Sequence, residues 1–251
     1  MATLKELNTY LVELLQPSLF SDYCTNGIQL EGKPEIRHLC TAVSASVQAI
    51  SRAVELGADA LLVHHGLFWQ RDSYDIYGAV KVKLKFLLTN DISLIAYHLP
   101  LDAHPSLGNN WKAAMDLGWN NLAPFPSKDK QPIGVKGNFT RRSRDQFRTD
   151  LQNYYGNRVE WVEGGNEWVS SAALVSGGAH KMIVDAIQEG VDCYVTGTRD
   201  EPTWHQAFEN GINFFAVGHA ASEVIGVKSL GQHIADRFSL QHTFIEEPNP
   251  F

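Results

Sequence analysis

VQAISRAVELGADALLV, residues 47–63, reads as an amphipathic helix that stops at a glycine turn and passes into a short apolar strand. Three further stretches repeat that plan: VKVKLKFLLTNDISLIAY (80–97), KMIVDAIQEGVDCYVT (181–196) and WHQAFENGINFFAV (204–217). Helices of about ten residues alternating with continuously apolar strands predict sheets covered on both faces, the α/β class. The likeness of ELGADALLV, QEGVDCYVT and ENGINFFAV hints at an internal duplication. Between the two halves, residues 120–170 hold the Pro-rich NLAPFPSKDKQP, then a strand IGVKGNFT, a helix starting at Ser143 and a strand VEWV. Residues 122–132 read as a loop or linker. The organisation expected is therefore two intertwined α/β lobes, 1–125 and 170–251, with 126–169 as an intervening α+β segment.

Size and charge narrow the function classes. A chain of 251 residues buries an ample core without disulfides. Cys24, Cys40 and Cys193 are scattered, odd in number and free of CxxC spacing, which argues against a disulfide framework and a thiolate zinc site and fits a reducing cytoplasm. The start, MATLKELNTYLVELLQP, has leucines at helical spacing, with Thr3 and Glu6 placed as a capping box. No stretch approaches the roughly 18 apolar residues of a membrane span. A net charge of −7 gives no general attraction to nucleic acid or to an anionic membrane. The one basic cluster, Arg141, Arg142 and Arg144, reads as a solvated face leading into the helix at Ser143.

The chemistry gathers where strands end. LLV runs into His64 and His65, LIAY into His98, with Asp102 and His104 close behind, and FFAV into GHAASE, with His219 and Glu223. Neighbouring side chains in a strand point to opposite faces, so adjacent histidines reach one point only if the strand is ending. Ligand sites of α/β sheets form outside the carboxyl ends of strands. A helix beginning just after Gly218 would put His219 and Glu223 one turn apart on one face. Imidazoles and carboxylates without thiolates suit Zn, Fe, Mn, Co or Ni in a site open to water. His64, His65, Asp102, His219 and Glu223 exceed what one catalytic ion takes from protein, but suit two ions about 3.5 to 4 Å apart. His38, His180, His233 and His242 read instead as ordinary hydrogen-bonded residues. No GxxxxGK[ST] loop is present, and the best anion candidate is SGGAH, 176–180, whose alternative reading is a tight strand-to-helix turn.

NGIQLEG (26–32), GADALLVHHGLFW (57–69), LIAYHLPLDAHPSLGNN (94–110), SGGAHKMIVDAIQEGVDCYVTG (176–197) and GHAASE (218–223) resemble the YbgI, or NIF-three-like, family over nearly the whole chain. The resemblance implies two similar three-layer α/β lobes with mixed or parallel sheets, a dinuclear metal site between them, toroidal hexamers and the family designation GTP cyclohydrolase 1 type 2 homolog. Carried onto this chain, it implies that His64 and Asp102 serve one ion, His65 and His219 the other, and Glu223 bridges. His98 and His104 would stand behind these ligands. The chain departs from the family pattern at Ala220, where a second histidine is common, and at Thr198, where an acidic residue is common.

Two functions follow as expectations. One is a cytoplasmic metal-dependent hydrolase that uses two divalent ions per chain to activate water against a small molecule, with His98 or His104 moving a proton. The other is a non-catalytic metal-handling or partner-binding protein. A homo-oligomer, the hexamer of the family, is expected with either, and neither involves a membrane or nucleic acid.

Overall fold

The leucine spacing at the start forms the helix it dictates. After a two-residue strand β1 (Ala2–Thr3), helix α1 (Leu4–Leu15) buries Leu4, Leu7, Leu11 and Leu15, and Thr3 and Glu6 close the capping box. Then come β2 (Gly27–Leu30), β3 (Glu35–Ile36), β4 (His38–Ser44), α2 (Val47–Glu55), β5 (Ala60–His65), α3 (Gly78–Thr89), β6 (Ser93–Ala96) and α4 (Leu99–Ala103). The middle of the chain forms α5 (Asn109–Asp116), β7 (Asn120–Phe125), β8 (Gly134–Ser143), α6 (Arg144–Tyr155), β9 (Glu160–Glu163), β10 (Trp168–Val175), α7 (Ile183–Glu189), β11 (Cys193–Thr196), α8 (Glu201–Glu209) and β12 (Asn213–Ala216). Helix α9 (His219–Phe238) and strand β13 (Gln241–Phe244) complete it. This computed structural model describes residues 1–251, and no helix in it is long and apolar enough to cross a membrane.

Contacts divide the chain into a first unit, Met1–Leu101 with Gly226–Pro248, and a second, Asp102–Ile225 with Asn249–Phe251. The division falls at Leu101 and Ile225, away from the Pro-rich stretch expected to mark it. In the first unit a five-stranded sheet runs β13-β4-β5-β6-β2, parallel except for β2. Cys40, Ala42, Leu61, Val63, Leu94 and Ala96 face one way and pack on Ala49, Ile50 and Ala53 of α2 and on Leu84 and Leu87 of α3. The alternate residues Leu39, Leu62 and Ile95 are fully buried on the other face, where Gly231 of α9 lies against Thr41. Burial on both faces is why these strands lack a polar alternation.

The second unit carries a six-stranded mixed sheet, β7-β8-β10-β11-β12-β9. Its three layers are set by strand parity: Ala172, Leu174, Cys193, Val195 and Phe215 pack with Ala113 and Ala114 of α5 and Phe147 and Leu151 of α6, while Ala173, Val175, Tyr194 and Phe214 pack with Ile183 and Ala186 of α7 and Ala207 of α8. Residues 126–169 supply β8, α6 and β9 to this unit and so are part of its sheet, in contrast to the separate segment expected. The Pro-rich stretch expected as linker is β7 as far as Phe125. Pro124 is tolerated because β7 is an edge strand, and the ladder shifts register around Asn121, whose φ is 51°. The basic cluster is neutralised locally, Arg142 by Asp150 and Arg144 by Glu163, with Arg141 over the Trp168 ring.

The hint of duplication takes a definite form. In the first unit β4, β5 and β6 are parallel neighbours joined through α2 and α3, with the preceding strand β2 antiparallel beside β6. In the second, β10, β11 and β12 are parallel neighbours joined through α7 and α8, with the preceding β9 antiparallel beside β12. The two cores share one topology, and ELGADALLV and QEGVDCYVT end in the same middle strand of each.

Strand β13 is fastened by histidines. His38 Nε2 lies 2.9 Å from Thr243 Oγ1 and His242 Nε2 2.9 Å from Thr41 Oγ1, and the missing side chain of Gly231 makes room for the His242 ring. Burial, with a smaller contribution from His38, lowers the pKa of His242, while Asp236 acts in the opposite sense. The folded state therefore excludes a proton that the unfolded chain accepts. Stability from this group is fully present above pH 6.5, the ordinary value, and is lost as pH falls below it. Urea melts at pH 7.5 and 5.5 should show a larger acid loss for the wild type than for His242→Gln, and equal losses would refute the assignment.

Candidate metal centre

In the first unit the expected doublet occupies the last two positions of β5, where the strand no longer forces the rings apart. The His64 and His65 ring centroids are 4.7 Å apart, and His98, just past β6, stands 4.9 Å from His64 and 5.6 Å from His65. A ligating nitrogen from each lies within 4.8 Å of the others, close enough for one ion. His64 is fully buried, and its Nδ1 is 3.0 Å from the Tyr97 carbonyl oxygen. A carbonyl only accepts, so Nδ1 carries the proton and Nε2 the lone pair, the form in which imidazole binds a metal. His65 Nδ1 meets Ser44 Oγ at 3.2 Å.

His98 is held by a residue that sequence reasoning missed. Asp22 Oδ1 accepts its Nδ1–H at 2.8 Å, and the same carboxylate accepts from the backbone of Cys24 and Leu99 and from Asn26 Nδ2. Burial pushes the Asp22 carboxyl up, but His98 and these hydrogen bonds together outweigh it and hold the pKa at about 2. A carboxylate behind an imidazole orients the ring and raises its basicity, so Asp22 fixes the direction of the His98 ring. Tyr23 and Trp69 both meet the His98 ring edge to face, with centroids 5.3 Å away. Asp22 lies in SDYCTN, which has no histidine spacing to mark it.

In the second unit α9 begins at His219, so the one-turn spacing holds. His219 Nε2 is 3.3 Å from Glu223 Oε1, with Glu223 almost wholly buried. Asp102, in α4, has Oδ1 clamped at 2.8 Å by both Asn109 Nδ2 and Ser176 Oγ. Asn109 and Asn110 are fully buried, and Asn110 accepts the Ser176 amide. These partners also escaped the sequence reading; the signal was the adjacent asparagines following HPSLG, polar residues placed where a helix meets a core. His219 and Glu223, an imidazole beside a buried carboxylate, bring together donors that suit a cation, whereas Asp102 belongs to neither group of converging ligand atoms.

The SGGAH loop commits its first two amides within the fold, as a tight strand-to-helix turn does. The Ser176 amide is spent on Asn110 and the Gly177 amide on Ser222 Oγ, and the loop leads into a single 3-10 turn, His180–Met182. Gly177 has φ +66°, and a Cβ there would lie 2.3 Å from Glu223 Oε1. The remaining candidates have structural partners. His104 Nδ1 accepts the Leu107 amide in a turn, His180 pairs with Thr198 and Asp200, and His233 with Tyr10. The two departures from the family pattern are also engaged, Thr198 by His180 and the Ala220 amide by the Phe251 carbonyl at 2.8 Å. All three cysteines are buried and free.

Comparison with known proteins agrees over the whole length. The sequence model of the Duf34/NIF3 family (NGG1p interacting factor 3) matches residues 2–250. A Chlamydia pneumoniae protein named GTP cyclohydrolase 1 type 2 homolog is 44% identical over 249 residues, covering 98% of each chain. Among solved structures, protein ybgI, described as of unknown function, superposes with a TM-score of 0.94 at 37% identity, covering 100% of both chains. A Thermus thermophilus protein does so with 0.92 at 33%, again over 100% of both.

The Gly177 contact makes a controlled prediction. Gly190 has φ +69° with nothing near its missing Cβ, so Gly190→Ala bears only the left-handed strain of about 1–2 kcal/mol. Gly177→Ala bears that strain and also displaces Glu223. Thermal melts should place Gly177→Ala well below Gly190→Ala, and equal midpoints would contradict the packing described.

Proposed function

The chain belongs to the Duf34/NIF3 family, and we propose that it is a metal-dependent hydrolase of a small molecule, holding two divalent ions through His64, His65, Asp102, His219 and Glu223. The observation that carries this reading is the buried His64 ring, whose Nδ1–H is given to the Tyr97 carbonyl and whose Nε2 is thereby kept as a lone pair beside two other imidazoles. Glu223 would serve both ions, His64 and Asp102 would hold one of them, and His65 and His219 would hold the other. When bound, such ions lower the pKa of water and polarise an oxygen of the substrate. The chain's residues do the rest. Asn109 and Ser176 fix the direction of Asp102, Asp22 fixes the ring of His98, and His98 is the group placed to hand on a proton. The name borne by the relatives supports hydrolytic opening of a purine nucleotide ring as the reaction type. A cytoplasmic homo-hexamer is part of the same proposal, and light scattering at six chain masses is its check.

Glu223→Gln keeps shape and removes the charge that would hold two dications together. Elemental analysis should find about two ions per wild-type chain, one or none in Glu223→Gln, and wild-type content in His233→Gln, whose ring is committed to Tyr10. Wild-type metal in Glu223→Gln would remove the bridge. Turnover that vanishes with chelator and returns with metal is expected of a hydrolase, and metal without turnover across a broad substrate screen marks a metal-handling or partner-binding protein.

A further inference from the structure

The connection from β5 to α3 does more than join them. It lines a cavity of about 860 Å³ with the rings of Phe68, Trp69, Tyr74 and Tyr77 and the side chains of Asp72 and Asp75. No lysine or arginine lines it. Tyr74 is 99% exposed and Tyr77 71% exposed, so both stand in solvent at the rim of the cavity. Trp69 joins this cavity to the imidazoles of the same unit, for its ring centroid is 5.3 Å from that of His98 and 6.0 Å from that of His65.

We infer that this cavity binds a flat heteroaromatic ring bearing N–H donors and leaves any phosphate of the same ligand outside. The inference deepens the hydrolase reading and rests on it for the claim that the ring belongs to a substrate. Trp69 in the wall and three further aromatic side chains about it make a lining that a planar ring can stack on. Two carboxylates accept N–H groups and repel anions. A phosphate-binding cavity has the opposite lining, arginine, lysine or converging backbone amides. The placement has a chemical use, since a ring stacked against Trp69 is brought beside His98 and His65.

Calorimetric titration of the full chain as purified tests this with three probes: guanosine, a neutral ring with imino and amino donors; xanthosine, a ring of the same size that is anionic at pH 8; and ribose 5-phosphate, which has the phosphate and no ring. Guanosine should bind more tightly than xanthosine at pH 8. Tyr74→Ala and Tyr77→Ala, exposed positions whose truncation leaves the core intact, should weaken guanosine at least about fivefold each, the lower end for loss of one stacking partner. Ribose 5-phosphate affinity should be the same in wild type and both variants. The inference is overturned if guanosine fails to bind, if xanthosine binds as well as guanosine, or if neither tyrosine variant changes guanosine affinity. Metal analysis of the same samples separates the two readings, because a cavity that binds guanosine in a protein without metal keeps this inference and removes the hydrolase.

Discussion

The carboxylate of Asp22 is the tie on which the first unit's chemistry depends. It is almost fully buried, yet it takes hydrogen bonds from His98, Asn26 and the backbone of Cys24 and Leu99. One residue thus fixes an imidazole and the backbone at the start of α4, and joins both to the loop ahead of β2. The cost of burying a charge is offset because its oxygens are satisfied in one geometry only. Lose that carboxylate and the His98 ring has no reason to point where it does.

Much of this was legible in the sequence, for an identifiable reason. Alternation of helices with apolar strands predicts covered sheets, and VHHG, HLPLDAH and GHAASE announce themselves because histidines at strand ends are scarce and chemically specific. Supporting residues leave a fainter mark, one that does not say what they hold. Asp22, Asn26, Asn109 and Ser176 act through contacts made only after the chain has folded, and each belongs to a residue type that is ordinarily found in turns. The Pro-rich stretch misled in the other direction. Proline argues against a strand in the middle of a sheet, but β7 lies at an edge, where its missing N–H costs nothing.

The shared topology of the two cores explains how the histidines were distributed. His98 follows β6 and His219 follows β12, the equivalent last parallel strand of each core. The doublet at the end of β5 has no counterpart at the end of β11, where Thr196, Gly197 and Thr198 stand. The two cores share their topology and their apolar runs and differ at their strand ends.

The interrupted layout of the first unit has a consequence for biosynthesis. Its edge strand β13 pairs with β4, and the His38 to Thr243 contact spans 205 positions of chain. The second unit is continuous from Asp102 to Ile225 apart from its last three residues. A chain emerging from the ribosome therefore displays β4 long before β13 exists to cover it, while the second unit assembles from neighbours in sequence. Until β13 has been made and has paired, the β4 edge it covers stays open, and an open strand edge favours aggregation.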